Sequence, residues 1–205
     1  MSDSKVHWEN LYKTKSSKEV SWYQPRLEKS LELILGLGLS KGAAIIDVGG
    51  GASTLPDDLL GNGFKHITVL DISSEALKVS KNRLGDKASL IQWIEADVTQ
   101  ASLEPEYYDL WHDRAVFHFL TKLEDRQRYI ANLGRAVKPG GAVIMATFGP
   151  NGPLKCSGLE IVRYSAQSLS AELDGQFLLL KDLLEVHKTP SGSEQQFIYC
   201  LLKMQ

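Results

Sequence analysis

A glycine-rich turn between an apolar run and a helix start constrains the fold of this chain more than any other feature. Residues 44–48 are Ala-Ile-Ile-Asp-Val, residues 49–51 are three glycines, and Ser53 and Thr54 follow. This order predicts a buried strand, a tight turn and a helix N-terminus. Glycines let a ligand approach the backbone closely, and the first turn of a helix presents free N–H groups. The turn is therefore the first candidate for a ligand site.

Three acids at the ends of apolar runs extend this candidate site. Asp47 lies at the end of the first run and can attract a donor such as an ammonium group. Asp71 ends the second run, about 20 residues beyond the turn, where an acid is placed to bind a ribose diol. Asp97 ends the third run and can reach an adenine amino group. Together the acids indicate an adenosine ligand.

The spacing of the glycines disfavours a dinucleotide. The pattern Gly-x-Gly-x-x-Gly would require a glycine at position 54, where this chain has Thr54. Asp47 would also bring a negative charge close to a pyrophosphate. An NAD-dependent oxidoreductase is therefore disfavoured, and an adenosine ligand with a cationic tail suits these residues better.

In these residues the chain resembles the class I S-adenosylmethionine-dependent methyltransferases, whose glycine turn reads acid-x-Gly-x-Gly-x-Gly. Asp47, Gly49 and Gly51 match that pattern, and Ser53 stands at the third glycine position. The resemblance runs from about residue 8 to the C-terminus. It implies S-adenosyl-L-methionine as the cofactor and methyl transfer as the activity. The implied cofactor contacts are Gly49, Gly51, Asp71 and Asp97, with Asp47 beneath the cofactor and Trp22 above it.

The resemblance and the order of the predicted elements imply one α/β domain with a Rossmann-like, doubly wound sheet. Most strands are expected to be parallel, and the last strand is expected to be antiparallel within a C-terminal hairpin. We expect an N-terminal flap over residues 1–24 and the methyltransferase domain over residues 25–205. Strands are predicted at 43–48, 66–72, 89–96, 107–114, 142–147, 177–186 and 196–202, with a Lys-Pro-Gly-Gly turn at 138–141 and helices from about residues 25, 53, 73, 124 and 165.

The N-terminal segment carries four aromatic residues in polar surroundings. Trp8 and Tyr12, at positions i and i+4, can pack a short helix onto the body of the domain. Trp22 and Tyr23 suit a flap that excludes water, with Tyr23 against the substrate. Similar aromatic starts occur in the methyltransferases that modify lysines of citrate synthase and elongation factors. Thiopurine and tellurite methyltransferases have looser versions.

Polar residues near the end of the fourth predicted strand are the first candidates for catalysis. Asp113 is expected at the mouth of the crevice, where it can orient an ammonium substrate or accept its proton, and an ion pair with Arg114 is the alternative. His118 can act as a base near neutral pH or can be a structural histidine bonded to the backbone. The lysine methyltransferases have a second acid where His118 stands, which leaves the acceptor open.

A long segment, residues 148–164, follows the fifth predicted strand, and long structured loops are usually functional. Cys156 can hold a soft substrate such as arsenic, selenium or tellurium, or it can pack the loop. Arg163 and Tyr164 can recognise a substrate carboxylate, since a guanidinium binds a carboxylate through two hydrogen bonds, and a surface position is the alternative for Arg163. We expect no metal ion, because no set of His, Cys and acidic residues has the spacing of metal ligands.

The composition narrows the classes of partner. A formal net charge of −2 over 205 residues argues against a nucleic-acid surface. The sequence contains no run of 18 apolar residues, so it predicts no membrane span. The two cysteines, Cys156 and Cys200, are expected to be free thiols in a cytoplasmic protein. We therefore expect a methyl acceptor as the partner of a monomer or homodimer.

The leading interpretation is methyl transfer from S-adenosylmethionine to a protein lysine or another amine. A small thiol or a metalloid is the second class of acceptor. A regulator that binds S-adenosylmethionine without catalysis is the alternative from another class of protein, and it would never yield S-adenosylhomocysteine with any acceptor.

Overall fold

Helices and strands alternate through most of the chain. A computed structural model describes residues 3–173 and 175–205, so residues 1–2 of the predicted flap lie outside the described residues. The helices are α1 (Asp3–Thr14), α2 (Glu28–Gly36), α3 (Leu55–Gly61), α4 (Ser74–Leu84), α5 (Leu123–Ala136) and α6 (Ala166–Glu172). The strands are β1 (Ala44–Val48), β2 (His66–Asp71), β3 (Ile91–Glu95), β4 (Tyr108–Arg114), β5 (Val137–Phe148), β6 (Lys155–Cys156), β7 (Leu159–Glu160), β8 (Phe177–Lys188) and β9 (Glu194–Met204).

Seven of these strands form a sheet in the order β3-β2-β1-β4-β5-β9-β8. Neighbours from β3 to β5 are parallel, whereas β9 runs antiparallel to both β5 and β8. The strand order across the sheet reverses between β1 and β4, which is the place where doubly wound sheets bind ligands. The predicted fold class and the antiparallel last strand are confirmed.

Apolar side chains cover both faces of the sheet, as a mainly parallel sheet requires. On β1, Ile46 points into a layer with α5 and α6, and Ile45 points into the opposite layer with α2, α3 and α4. On β4, Trp111 lies in the first of these layers and Leu110 lies in the second. Successive side chains of a strand alternate between faces. This alternation decides which polar residues at the strand ends can meet.

Two predicted segments differ most from the structure. β5 already begins at Val137, so residues 138–141, predicted as a turn, lie within the strand. The register of β5 against β4 shifts between Tyr108 and Leu110, and Gly140 has a left-handed backbone (φ 74°) in this irregular stretch. The segment 148–164 is not wholly irregular, because β6 and β7 form a short antiparallel hairpin within it.

The first helix is attached to the body of the domain by a carboxylate. Glu9 of α1 accepts hydrogen bonds from the Ser74 backbone N–H (2.8 Å), the Ser74 hydroxyl (2.9 Å) and the Glu75 N–H (3.3 Å) at the start of α4. A negative charge at a helix N-terminus is favourable because the backbone N–H groups there lack partners.

No helix among residues 3–173 and 175–205 has the length and apolar content needed to cross a membrane.

Candidate active site

A cavity of about 430 Å³ lies at the carboxyl ends of β1, β2 and β4. Its floor includes Gly49 and Asp71, and one wall comes from the segment after β3 that contains Asp97. The opposite wall comes from the segment after β4, with residues 114–116 and 119–120, and the roof carries the aromatic side chains Trp8, Tyr12 and Trp22. We call this space the main cavity.

The glycine turn is shaped by close contacts that exclude side chains. Gly49 has φ 69°, and a Cβ atom added there would lie 2.0 Å from a methyl group of Val116. A Cβ at Gly51 would lie 2.5 Å from both Asp71 Oδ2 and the methyl group of Ala76. The turn is therefore held between β2, α4 and the segment after β4, and it exposes backbone to the main cavity.

Asp71 is buried beneath the main cavity with a fixed orientation. Its Oδ2 accepts a hydrogen bond from Gly51 N–H (3.0 Å), and its Oδ1 accepts one from Ser73 N–H (2.8 Å). Burial raises the pKa of Asp71 to about 6, although both N–H groups oppose that shift. Asp97 lines the facing wall, where Thr99 holds its Oδ1 through the backbone N–H (2.9 Å) and the hydroxyl (2.7 Å).

A second, small cavity of about 50 Å³ lies beside the glycine turn, and two buried charged groups reach it. Asp47 Oδ1 is 2.7 Å from His112 Nδ1, but Asp47 Oδ2 has no hydrogen-bond partner among the described residues. Arg114 donates from Nε to the Tyr199 hydroxyl (2.9 Å) and from Nη1 to the Trp22 carbonyl (3.1 Å). Its Nη2 is also buried and has no partner in that part of the chain. Beside the small cavity, Asp47 Oδ2 is therefore available to accept a hydrogen bond and Arg114 Nη2 is available to donate one.

The aromatic roof from the N-terminal segment packs against the wall that follows β4. The rings of Trp8 and Trp22 meet edge to face at 5.7 Å between centroids, and Trp8 meets Phe119 at 5.0 Å. The segment before α2 is fastened to β8, because His187 Nε2 donates to the Ser21 carbonyl (2.8 Å) and Gln24 Nε2 donates to His187 Nδ1 (3.0 Å). The N-terminal residues thus close one side of both cavities.

Comparison with known proteins places this geometry in a family. Residues 46–145 match the family model described as a methyltransferase domain. The eEF1A lysine and N-terminal methyltransferase of Danio rerio is 23% identical over 73% of this chain and 22% of its own length. The ubiquinone biosynthesis O-methyltransferase of Nitrosomonas europaea is 31% identical over 59% of this chain and 49% of its own length. The chain thus spans about a fifth to a half of the length of these relatives.

Solved structures share the fold. A methyltransferase from Anabaena variabilis, described as SAM-dependent, superposes with a TM-score of 0.75 at 16% identity, over 100% of this chain and 96% of that one. The 1,6-didemethyltoxoflavin-N1-methyltransferase of Burkholderia thailandensis, solved with bound 1,6-didemethyltoxoflavin and S-adenosylhomocysteine, superposes with a TM-score of 0.71 at 16% identity, over 98% of this chain and 87% of that one. This chain belongs to the class I S-adenosylmethionine-dependent methyltransferases. The family that the glycine turn predicted is confirmed.

Asp113 of the methyltransferase does not lie at the mouth of the crevice, so its predicted placement is wrong. The side chain is fully buried on the α5 face of the sheet and accepts hydrogen bonds from Val116 N–H (2.9 Å), Phe117 N–H (3.1 Å) and the Tyr129 hydroxyl (2.5 Å). It does not pair with Arg114, because consecutive strand residues point to opposite faces. Burial raises the pKa of Asp113 to about 6. Its contacts instead hold the bend after β4.

His118 is also buried away from both cavities of the methyltransferase. Phe148 N–H donates to its Nδ1 (3.1 Å), which leaves the ring proton on Nε2. Burial, with help from the nearby charge of Arg114, lowers the pKa of His118 to about 3, so the ring is neutral. His118 is therefore a structural histidine that is hydrogen-bonded to the backbone, which was the alternative to its predicted role as a base.

The long segment before α6 does not bring its predicted substrate contacts to the main cavity. Cys156 is 4% exposed, and burial raises the pKa of its thiol to about 11, so it is not a free thiolate. Tyr164 is 2% exposed and lines neither cavity. Arg163 donates to the Gly152 carbonyl (3.2 Å) within the same segment. In residues 3–173 and 175–205 no group of three His, Cys or acidic side chains could hold a metal ion.

The other predicted positions fall around the two cavities of the methyltransferase. The main cavity is lined by Trp22, Gly49, Asp71 and Asp97, and the small cavity is lined by Asp47 and Tyr23. The Gly51 N–H donates a hydrogen bond to Asp71. Arg114, Trp8 and Tyr12 also line the cavities, although the sequence indicated only an ion pair for Arg114 and only packing for the two aromatic residues. A cation at the C-terminal end of a central strand was the available signal for Arg114.

Proposed function

We propose that this chain transfers a methyl group from S-adenosylmethionine to an amine. The observation that carries the proposal is the pair of buried, unpartnered atoms of opposite charge beside the glycine turn. An ammonium and a carboxylate on one α-carbon would satisfy Asp47 Oδ2 and Arg114 Nη2 together, and the methionyl tail of the cofactor has both groups. Buried charges are strongly unfavourable until they are paired.

The remaining contacts follow the shape of the same ligand. Asp71 would accept hydrogen bonds from the ribose hydroxyls, and Asp97 would accept one from the adenine amino group. The small cavity would take the tail, and Trp22, Tyr12, Gly49 and Arg114 line both cavities at the point where the sulfonium would lie. When bound, the cofactor supplies an already activated methyl group. The protein's own contribution is alignment and exclusion of water.

The lining of the main cavity supports an amine as the acceptor, with a protein lysine as the specific case. The faces of tryptophan rings such as Trp8 and Trp22 attract cations, and Asp3 and Asp125 bring negative charge that offsets the cationic lining residues of the same cavity, Lys122 and Arg114. An aromatic wall also removes water from the amine, which lowers its pKa and favours the neutral nucleophile. The proposal does not use Asp113 or His118 as a base, because hydrogen bonds inside the fold hold both side chains away from the main cavity.

Two measurements test the cofactor and the acceptor separately. Calorimetric titration with S-adenosylmethionine and S-adenosylhomocysteine measures cofactor binding, and labelled methyl groups offered with lysate proteins, small amines and small thiols identify the acceptor. We expect label on amines with the wild type and little with an Asp71→Asn variant. Label on thiols would overturn the amine. Binding without transfer to any acceptor would indicate a regulator, and no binding would refute the cofactor.

We also propose a cellular location and an assembly state. The described structure contains two free, buried cysteines, Cys156 and Cys200, and this supports a reducing compartment such as the cytoplasm. We propose a monomer or a homodimer, which a measurement of solution mass distinguishes.

A further inference from the structure

A chain of buried polar groups joins the two charged residues of the small cavity. At one end Asp47 Oδ1 contacts His112 Nδ1 (2.7 Å), and His112 Nε2 contacts the Ser30 hydroxyl (2.9 Å). At the other end Arg114 Nε donates to the Tyr199 hydroxyl (2.9 Å). The side chains of Tyr199 and Ser30 lie close enough to interact, which brings the two ends together. Ser30, Asp47, His112 and Tyr199 are each at most 2% exposed, so water does not compete for these contacts.

The fold brings these groups together on one face of the sheet. Asp47 and His112 are opposite each other in the pairing of β1 with β4, so their side chains share a face. Tyr199 pairs with Ala146 of β5 and reaches the same apolar layer from β9, and Ser30 reaches it from α2. Four separate elements therefore contribute one continuous network, and no local sequence motif contains it.

The donors of the network can all point the same way. Arg114 donates to Tyr199, whose hydroxyl can donate to Ser30, whose hydroxyl can donate to His112 Nε2. His112 then carries its proton on Nδ1 and donates to Asp47. Aligned hydrogen bonds polarise one another, and this direction runs from a cation to an anion. Each of the bonds also restricts the rotation of the side chain at its end.

We propose that His112, Ser30 and Tyr199 are positioning residues that hold Asp47 and Arg114 for the amino-acid tail of the cofactor. This inference rests on the proposed function. With Oδ1 held by His112, the Asp47 carboxylate keeps Oδ2 for an ammonium. With Nε held by Tyr199, the Arg114 guanidinium keeps Nη2 for a carboxylate. The network thus prepares both ends of the site before the ligand enters and selects ligands that carry the tail.

The experiment compares two ligands that differ only in that tail region. S-adenosylhomocysteine has the amino-acid tail, and 5′-deoxy-5′-methylthioadenosine lacks it. Calorimetry measures the Kd of both for the wild type and for Tyr199→Phe, His112→Asn and Ser30→Ala. We expect each variant to weaken S-adenosylhomocysteine by roughly 3- to 10-fold, the scale of one hydrogen bond. The Kd of methylthioadenosine should stay within about twofold, because that ligand has neither an ammonium to bond Asp47 Oδ2 nor a carboxylate to bond Arg114 Nη2.

The matched control is Tyr108→Phe. Tyr108 is another buried tyrosine, and its hydroxyl bonds Thr68 (3.4 Å) at the opposite end of β4. This control should change neither Kd. If one variant does not fold, Ser30→Ala removes a single atom and carries the test.

The possible outcomes separate the inference from the proposed function. If the variants weaken both ligands equally, or leave the preference for the tail unchanged, the positioning role is refuted while cofactor binding stands. If the wild type binds neither ligand, the proposed function fails and the inference fails with it. A selective loss of S-adenosylhomocysteine supports the inference.

Discussion

Replacing Asp71 by asparagine should separate cofactor binding from stability. The asparagine side chain would offer the ribose one neutral oxygen where the native protein has a carboxylate, and the loss of a charged hydrogen bond costs roughly 2 kcal/mol, or about 30-fold in Kd. The same change removes a buried charge. Asp71 has a pKa of about 6 against an ordinary value of 3.8, which corresponds to about 3 kcal/mol of destabilisation at pH 7.

The asparagine also carries a cost inside the fold. Its NH₂ group must face either Gly51 N–H or Ser73 N–H, which both donate to Asp71, and this clash costs roughly 1–3 kcal/mol. The two effects on stability nearly cancel. We therefore expect a large loss of affinity for S-adenosylhomocysteine by calorimetry, with the free energy of unfolding in urea changed by less than about 2 kcal/mol at pH 7. Unchanged affinity would refute the ribose contact.

The pH dependence gives a second readout of the same residue. The folded pKa of Asp71 is raised, so the folded state takes up a proton before the unfolded state does as the pH falls from about 7 towards 4. The stability of the wild type relative to Asp71→Asn should therefore rise over that window. Affinity of the wild type for S-adenosylhomocysteine should fall below about pH 6, where the carboxylate is lost. A variant with the same pH profile as the wild type would contradict this reasoning.

Three further substitutions test the structure around the site. Tyr129→Phe removes the donor to Asp113 and the acceptor of Trp111 Nε1 (2.9 Å), so urea unfolding should show a loss of roughly 2–4 kcal/mol, and a loss under about 1 kcal/mol would contradict the buried contacts. Glu9→Ala removes the cap between α1 and α4, so trypsin should cut the segment after α1 faster, and equal cleavage rates would show that the cap does not hold α1. Trp22→Ala should weaken the binding of S-adenosylhomocysteine by roughly tenfold because aromatic burial is lost. An unchanged affinity by calorimetry would show that Trp22 does not contact the ligand.

The local features of the site could be predicted from the sequence because their parts are neighbours in the chain. The strand, turn and helix around Gly49 follow from one apolar run and three glycines, and Asp71 follows from its place at the end of the next run. The helix starts predicted near residues 73 and 165 are confirmed for the same reason, since the Ser73 and Ser165 hydroxyls each accept a hydrogen bond from an N–H three residues away. Each such inference needs only a strand period, a helix period and the chemistry of one side chain.

The tertiary structure was needed to establish which residues at the end of β4 and after it line the cavities. Asp113 and Arg114 are adjacent and both charged, and a shift of one residue in register would exchange their faces. The bend at Ala115 (φ 72°) then draws His118 into the fold against Phe148. The contact of Asp47 with His112 depends on the pairing of two strands that are 65 residues apart. The sequence alone was enough to predict the fold family and the positions of Asp71 and Asp97, which we propose bind adenosine. Long-range strand register determined the charged pair, Asp47 and Arg114, which we propose binds the amino-acid tail.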